Sequence, residues 1–159
     1  MGDGKYRMRP QVNFKRVLAD EAVFRVEGKY SGEITASKTG GLLGAVDFDG
    51  TVSDIWLSVG ASGKDASEDL SIEADVFING VTCLTTKPKI EHVTGEDSQQ
   101  KTTLDSAADT GITEAALLAT ATSFSAGDVL TYDFYVTRTA SPTTEIEAPC
   151  LVVDLMPNK

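Results

Sequence analysis

The segment 70–83 reads LSIEADVFINGVTC, and it is the stretch of the chain that decides the fold. Apolar residues occupy every second position from Leu70 to Ile78, which is the period of a strand with one buried face. Asn79 and Gly80 follow directly, and both residue types accept the positive φ angles of a two-residue type I′ turn. The apolar alternation then resumes after the turn, so the segment predicts a β-hairpin.

Other parts of the chain also have strand character, through alternating apolar residues or a high content of valine, phenylalanine and tyrosine. These segments are 21–30, 51–60, 129–138 and 145–155. Pro149 lies inside the last of them, and because proline cannot donate a ladder hydrogen bond we expect an edge strand or a bulge there. The alanines and leucines of 113–122 favour two or three turns of helix, which its threonines oppose. Many short strands separated by polar and glycine-rich loops predict an all-β fold, a sandwich or a barrel.

The charge is distributed unevenly along the 159 residues. Residues 1–20 hold five basic and two acidic side chains, a net charge of +3, whereas the rest holds nine basic and 22 acidic side chains, a net charge of −13. We therefore divide the chain into a basic N-terminal arm, 1–20, and one domain, 21–159, which is long enough to bury a core. The acidic domain repels phosphates, so we expect no nucleic-acid partner. The arm is either a docking segment or a disordered terminus.

Membrane, metal and disulfide chemistry have little support in the residues. No apolar run is long enough to cross a bilayer, and 1–10 lacks the apolar stretch of a secretory signal peptide, so we expect no membrane partner. Cys83 and Cys150 either pair or remain two free thiols in strands. His92 is the one histidine and no Cys-x-x-Cys pair occurs, so we expect neither a zinc site nor any other cofactor.

The segment 45–51, AVDFDGT, resembles the Asp-x-Asp-Gly-Thr signature of haloacid-dehalogenase-type phosphatases. The resemblance implies that Asp47 would attack phosphorus and Asp49 would act as the general acid, with magnesium nearby. However, a glycine-rich stretch at 40–44 precedes the motif where a buried strand belongs, and a strand of period two follows it where a helix belongs. These neighbours favour a solvated acidic turn, with a calcium-binding turn as an alternative. We predict that the protein is not an enzyme.

Five segments together form a longer pattern of strands and turns. They are GTVSDIWLSV at 50–59, DVFING at 75–80, TTKP at 85–88, AGDVL at 126–130 and VTR at 136–138. The pattern resembles the head decoration, cement or head-fibre proteins of tailed bacteriophages. The resemblance implies an antiparallel β-sandwich of jelly-roll type, usually a homotrimer, that binds the major capsid protein on the outside of the capsid and stabilises it. It implies a location on the virion exterior, after synthesis in the host cytoplasm.

Candidate contact residues follow from this interpretation. The residues expected to dock on the capsid are the basic residues of the arm, Arg7, Arg9, Lys15 and Arg16. The residues expected at an oligomer contact are large aromatic side chains on the outward faces of their strands, Trp56, Phe77 and Tyr135. The alternative function is a receptor- or carbohydrate-binding β-sandwich module of a phage fibre or tail, which shares the fold but binds cells or glycans instead of heads.

Overall fold

The computed structural model describes residues 23–67, 69–106, 109–139 and 141–159, and these form fifteen strands. The strands are β1 (Phe24–Lys29), β2 (Glu33–Ile34), β3 (Lys38–Ala45), β4 (Gly50–Val59), β5 (Ser71–Ile78), β6 (Val81–Thr82), β7 (Leu84–Thr86), β8 (Lys89–Glu91), β9 (Lys101–Thr102), β10 (Ile112–Thr113), β11 (Ala116–Leu117), β12 (Ser123–Phe124), β13 (Val129–Thr137), β14 (Ile146–Glu147) and β15 (Cys150–Pro157).

Two antiparallel sheets contain most of these strands. The first sheet has the order β1-β15-β4-β12, with β9 also paired to β4. The second sheet has the order β10-β8-β5-β13-β3, with β6 also paired to β5. Residues of both sheets share one core cluster, and the two strand orders match those of a jelly roll made of two Greek keys. The predicted all-β sandwich is confirmed.

The hairpin that follows β5 has the predicted geometry. The φ angle is 50° at Asn79 and 82° at Gly80, as a type I′ turn requires. Ile78 pairs with Val81 directly across the turn. The five alternating apolar residues of the strand segment, Leu70, Ile72, Ala74, Val76 and Ile78, are all buried.

The core lies between the inner faces of the two sheets. Each central strand contributes alternate side chains to it, among them Ile55, Leu57 and Val59 from β4, Leu151, Val153 and Leu155 from β15, and Leu130 and Phe134 from β13. Removing this apolar surface from water is the main driving force for folding. The predicted alternation of 51–60 and 129–138 is therefore also confirmed.

Two local expectations differ from the structure. The segment 145–155 is divided at Ala148 and Pro149, and the strand that follows, β15, lies between β1 and β4 instead of at an edge. Ala148 has a φ angle of 49°, and the carbonyl of Pro149 accepts the N–H of Tyr30 at 3.0 Å. The segment 113–122 forms short strands and turns, since its threonines oppose helix. None of the described residues lies in a helix with the length and apolar character needed to cross a membrane.

One tyrosine fills the side of the sandwich where β1 and β3 lie. The ring of Tyr132 packs so close to Gly28 and Gly41 that an added Cβ would lie 2.6 Å from it at Gly28 and 2.4 Å from it at Gly41. Both positions therefore require glycine. The ring also packs edge to face against the core residue Phe134, with centroids 5.2 Å apart. Tyr132 therefore connects the side of the sandwich at β1 and β3 with the core.

Replacing Gly80 by valine is expected to lower the free energy of unfolding by about 1 kcal/mol or more, because a β-branched residue resists a positive φ angle. No atom lies within 4 Å of the position of an added Cβ, so the loss is conformational and not steric crowding. Denaturant unfolding of Gly80→Val measures it. Gly80→Asn is the matched control and should lose less, since asparagine accepts positive φ more readily. An unchanged midpoint for Gly80→Val would show that the turn is not type I′.

Candidate functional site

One row of side chains crosses four strands on the outer face of the second sheet. Tyr135 pairs with Glu73, Glu73 with Lys89, and Lys89 with Thr113. The next residue of β8, Ile90, belongs to the core, so the row faces outward. Because neighbouring strands lie about 4.8 Å apart, the row is about 14 Å long.

An open groove with a volume of about 370 Å³ lies along this row, and we call it the outer groove. Three residues of the row and three from the adjoining segment 85–87 line it: Glu73, Lys89 and Thr113, then Thr85, Thr86 and Lys87. The wall is fixed at Thr85, whose hydroxyl donates to the carbonyl of Ala116 on β11 at 3.1 Å. Threonine hydroxyls, two ammonium groups and one carboxylate therefore face the same space.

Two carboxylates lie opposite each other beside the outer groove. Asp75 on β5 is the register partner of Asp133 on β13, an arrangement in which like charges repel. Asp75 is buried, accepts the hydroxyl of Thr82 at 2.6 Å, and has the ammonium group of Lys87 3.3 Å away. Asp133 accepts the hydroxyl of Tyr135 at 2.8 Å. Different groups therefore compensate the two charges, and Lys87 supplies the positive charge beside Asp75.

Tyr135 is held between these charged groups. The ammonium nitrogen of Lys87 lies 4.5 Å from the centroid of its ring, a cation–π contact. Burial, the hydrogen bond to Asp133 and the negative charges of Asp133 and Asp75 raise the pKa of Tyr135 to about 12. The phenol therefore stays protonated at neutral pH and remains a hydrogen-bond donor.

The three residues expected at an oligomer contact point outward but do not form one surface. Tyr135 and Phe77 share the outer face of the second sheet, where Phe77 pairs with Thr131 and lies about 13 Å along the strand from the row of Tyr135. Trp56 lies on the outer face of the first sheet, on the opposite side of the sandwich. Only 9% of Trp56 is exposed, since the guanidinium group of Arg25 lies 4.6 Å from its ring centroid.

The loops 46–49 and 125–128, the turn at 79–80 and the start of β1 meet at one end of the sandwich, which we call the arm end. The carboxylate of Asp128 accepts the side-chain N–H of Asn79 at 2.7 Å, so one loop is tied to the hairpin turn. The carboxylate of Asp49 accepts the N–H of Ala126 at 2.8 Å, which ties the other two loops together. Turn residues of three separate segments thus brace each other.

These contacts contradict the phosphatase interpretation. Asp47 is exposed, and Asp49 serves as a brace between loops. The motif joins two strands of opposite antiparallel sheets, β3 and β4, instead of ending a parallel strand before a helix. Across the described residues, no group of three or more histidine, cysteine, aspartate or glutamate side chains is placed to hold a metal ion.

Exposed apolar side chains are concentrated at the arm end. Four of the six large apolar residues exposed in the described part of the chain are located there: Val23 at 47%, Val81 at 60%, Val129 at 37% and Met156 at 48%. Large exposed apolar patches are typical of interaction surfaces. The expected docking residues lie outside the described residues: Arg7, Arg9, Lys15 and Arg16.

A buried polar network at the other end was not foreseen from the sequence. The ring of His92 accepts the N–H of Asp65 through Nδ1 at 3.4 Å and donates from Nε2 to the carbonyl of Glu96 at 3.1 Å. The side chain of Lys101 is fully buried, with its ammonium nitrogen 2.5 Å from a carboxylate oxygen of Glu96 and 2.8 Å from the carbonyl of Thr110. These contacts hold the long loop after β8. Because lysine is almost never fully buried, nothing in the sequence indicated that Lys101 would lie inside the protein.

Both cysteines are free thiols. Cys83 is buried, and its thiol lies 3.4 Å from the carbonyl of Val76. Burial and the negative charge of Asp75 raise the pKa of Cys83 to about 12. Because the thiolate is the reactive form, Cys83 is expected to react slowly at neutral pH.

Replacing Lys87 by methionine is expected to cost about 1–3 kcal/mol of unfolding free energy, since it leaves the buried carboxylate of Asp75 without its cation. The double variant Lys87→Met/Asp75→Asn should recover most of that loss. Lys89→Met is the matched control, and should cost less than about 1 kcal/mol because Glu91, its ion-pair partner, stays accessible to water instead of being buried. Denaturant unfolding compares the unchanged protein with these three variants and with the single variant Asp75→Asn. Additive losses in the double variant would contradict the coupling.

Alkaline titration of tyrosinate absorbance in the folded protein should contain one component near pH 12 that Tyr135→Phe removes. Because the folded pKa lies above the unfolded value of about 10, Tyr135 contributes stability that is complete below pH 10 and lost as the pH rises towards 12. The control is the protein in denaturant, where all tyrosines should titrate together. A late component that persists in Tyr135→Phe would assign it to another tyrosine.

The chain was compared with known proteins. No protein-family model matches it, and no curated protein matches it at a significant level. Any inference about the function of the protein therefore depends on its fold and on the contacts between its side chains.

Proposed function

We propose that this protein is a non-enzymatic virion protein that binds the outer surface of a phage capsid and stabilises it, as decoration or cement proteins do. One observation carries the proposal: exposed apolar side chains collect at the same end of the sandwich where the basic segment 1–20 joins the domain. The described chain begins at Val23, and Phe24 pairs with Leu155 at that end. The apolar surface thus lies at the end of the domain to which the basic segment 1–20 is connected.

The charge distribution supports docking through this end. The arm carries a net charge of +3 and the remainder −13, so an acidic partner surface attracts the arm and repels the rest of the domain. Electrostatic complementarity of this kind directs the encounter of two proteins. Apolar side chains such as Val81 and Met156 would then supply the buried contact. The partner that we propose is the major capsid protein, on the capsid exterior.

Self-association as a homotrimer is part of the same proposal. On the outer face of the second sheet, Leu42 pairs with Thr131, and Thr131 pairs with Phe77. Leu42 is 67% exposed and Phe77 is half-buried, so this row offers apolar surface to another copy of the chain. It supports a contact that includes Phe77 but neither Trp56 nor Tyr135.

Co-sedimentation with purified mature heads that lack this protein tests the proposal. The full chain should pellet saturably and stoichiometrically with the heads and should raise the temperature at which they break. A version without residues 1–20 should fail to pellet, because the arm supplies the attraction. The variant Val81→Lys/Met156→Lys should bind about tenfold more weakly or worse, as expected when central apolar contacts are lost.

Leu104→Lys is the matched control, since Leu104 is 55% exposed but follows β9, away from the arm end. Its binding should equal that of the unchanged protein. If the full chain does not pellet with the heads, the capsid proposal is wrong. If it pellets and the arm-end variant binds equally well, the docking surface is wrong.

A further inference from the structure

The charged groups of the outer groove are almost balanced. Lys87 is paired with Asp75, and Lys89 is paired with Glu91 at 2.7 Å. Glu73 is the register partner of Lys89 on the neighbouring strand, so these two opposite charges lie side by side. Each charged side chain that lines the groove therefore has an opposite charge beside it. A charged ligand finds no unpaired charge of opposite sign in the groove, so an uncharged ligand fits best.

The hydrogen-bonding groups of the groove require a ligand that both donates and accepts. An ammonium group has three N–H donors, so Lys87 and Lys89 keep donors that their ion pairs do not use. The carboxylate of Glu73 only accepts. The hydroxyls of Thr86 and Thr113 do both, and both residues are exposed. Hydroxyl groups on neighbouring carbons of a sugar ring satisfy such a mixed set of donors and acceptors.

The shape of the groove favours a short, extended ligand. Its floor runs across the neighbouring strands β5, β8 and β10, which hydrogen bonds hold in fixed register. The floor is therefore rigid, which lowers the entropy that is lost when a ligand binds. The groove, about 370 Å³ in volume, is open to solvent, so a ligand would lie along the surface of the sheet.

The position of the groove leaves it open when the arm end is occupied. Tyr135 and Glu73 lie near the ends of β13 and β5 that point away from the arm end, where β13 begins at Val129. A protein docked through the arm end would still expose the groove to solvent.

From these observations we infer that the outer groove is a binding site for a short neutral oligosaccharide. Glu73 accepts hydrogen bonds from ligand hydroxyls, Lys87 and Lys89 donate to ring and hydroxyl oxygens, and the threonines complete the contacts. The inference stands apart from capsid binding, because the site uses a different surface.

The full-length protein, labelled and applied to an array of neutral, sialylated and sulfated oligosaccharides, tests this site. It should bind neutral oligosaccharides and not the anionic ones. Calorimetry with a bound neutral oligosaccharide should show that Glu73→Ala weakens binding about tenfold or more, the loss expected for hydrogen bonds to a charged group. Thr113→Val keeps the shape of the side chain and should also weaken binding measurably.

Glu27→Ala is the matched control, because Glu27 lies on β1 in the other sheet, and its affinity should be unchanged. Thermal unfolding of each variant checks that the fold is intact. Binding of anionic oligosaccharides alone, or of none, overturns the inference. Binding of neutral oligosaccharides that neither Glu73→Ala nor Thr113→Val weakens also overturns it, since the ligand would then lie elsewhere. None of these outcomes depends on whether the protein binds heads.

Discussion

The register of two central strand pairs, β4 with β15 and β5 with β13, is the constraint on which the rest of the structure depends. Because side chains alternate between the faces of a strand, this register decides which residues enter the core and which face solvent. Leu57 and Leu151 meet inside, whereas the adjacent pair, Trp56 and Val152, lies outside the core cluster. A slip of one residue in β5 would turn the carboxylate of Asp75 into the core, so packing and polar chemistry are fixed together.

Sequence patterns predict local structure, but they do not predict contacts between segments that lie far apart in the chain. Alternation and turn chemistry predict the hairpin at Asn79 and Gly80, because all the interactions involved lie within a few residues. The order of strands depends on the fit between segments far apart in the chain, so only the resemblance suggested a jelly roll. The row of the outer groove was not foreseen for the same reason. Its members Tyr135, Glu73 and Thr113 belong to separate strands, and nothing in their spacing gives the register.

The two proposed surfaces divide the molecule according to chemistry. The arm end combines apolar side chains with loops that brace each other, which suits a broad contact with another protein. The outer groove combines hydroxyl and charged groups on a rigid floor, which suits a small ligand. Lys87 belongs both to the groove wall and to the ion pair that stabilises Asp75. Any ligand that engages this ammonium group therefore also acts on the pair of opposed carboxylates beside it.

The place of β15 has a consequence for how the chain folds. This strand is the last of the fifteen described strands, yet it lies between β1 and β4, and Phe24 pairs with Leu155. The hairpin is able to form within about 1–10 μs, but the first sheet has to wait until its final strand has left the ribosome. Until then β1 and β4 have unpaired edges that attract strands of other molecules. Such non-local pairing predicts folding on a scale of about milliseconds to seconds.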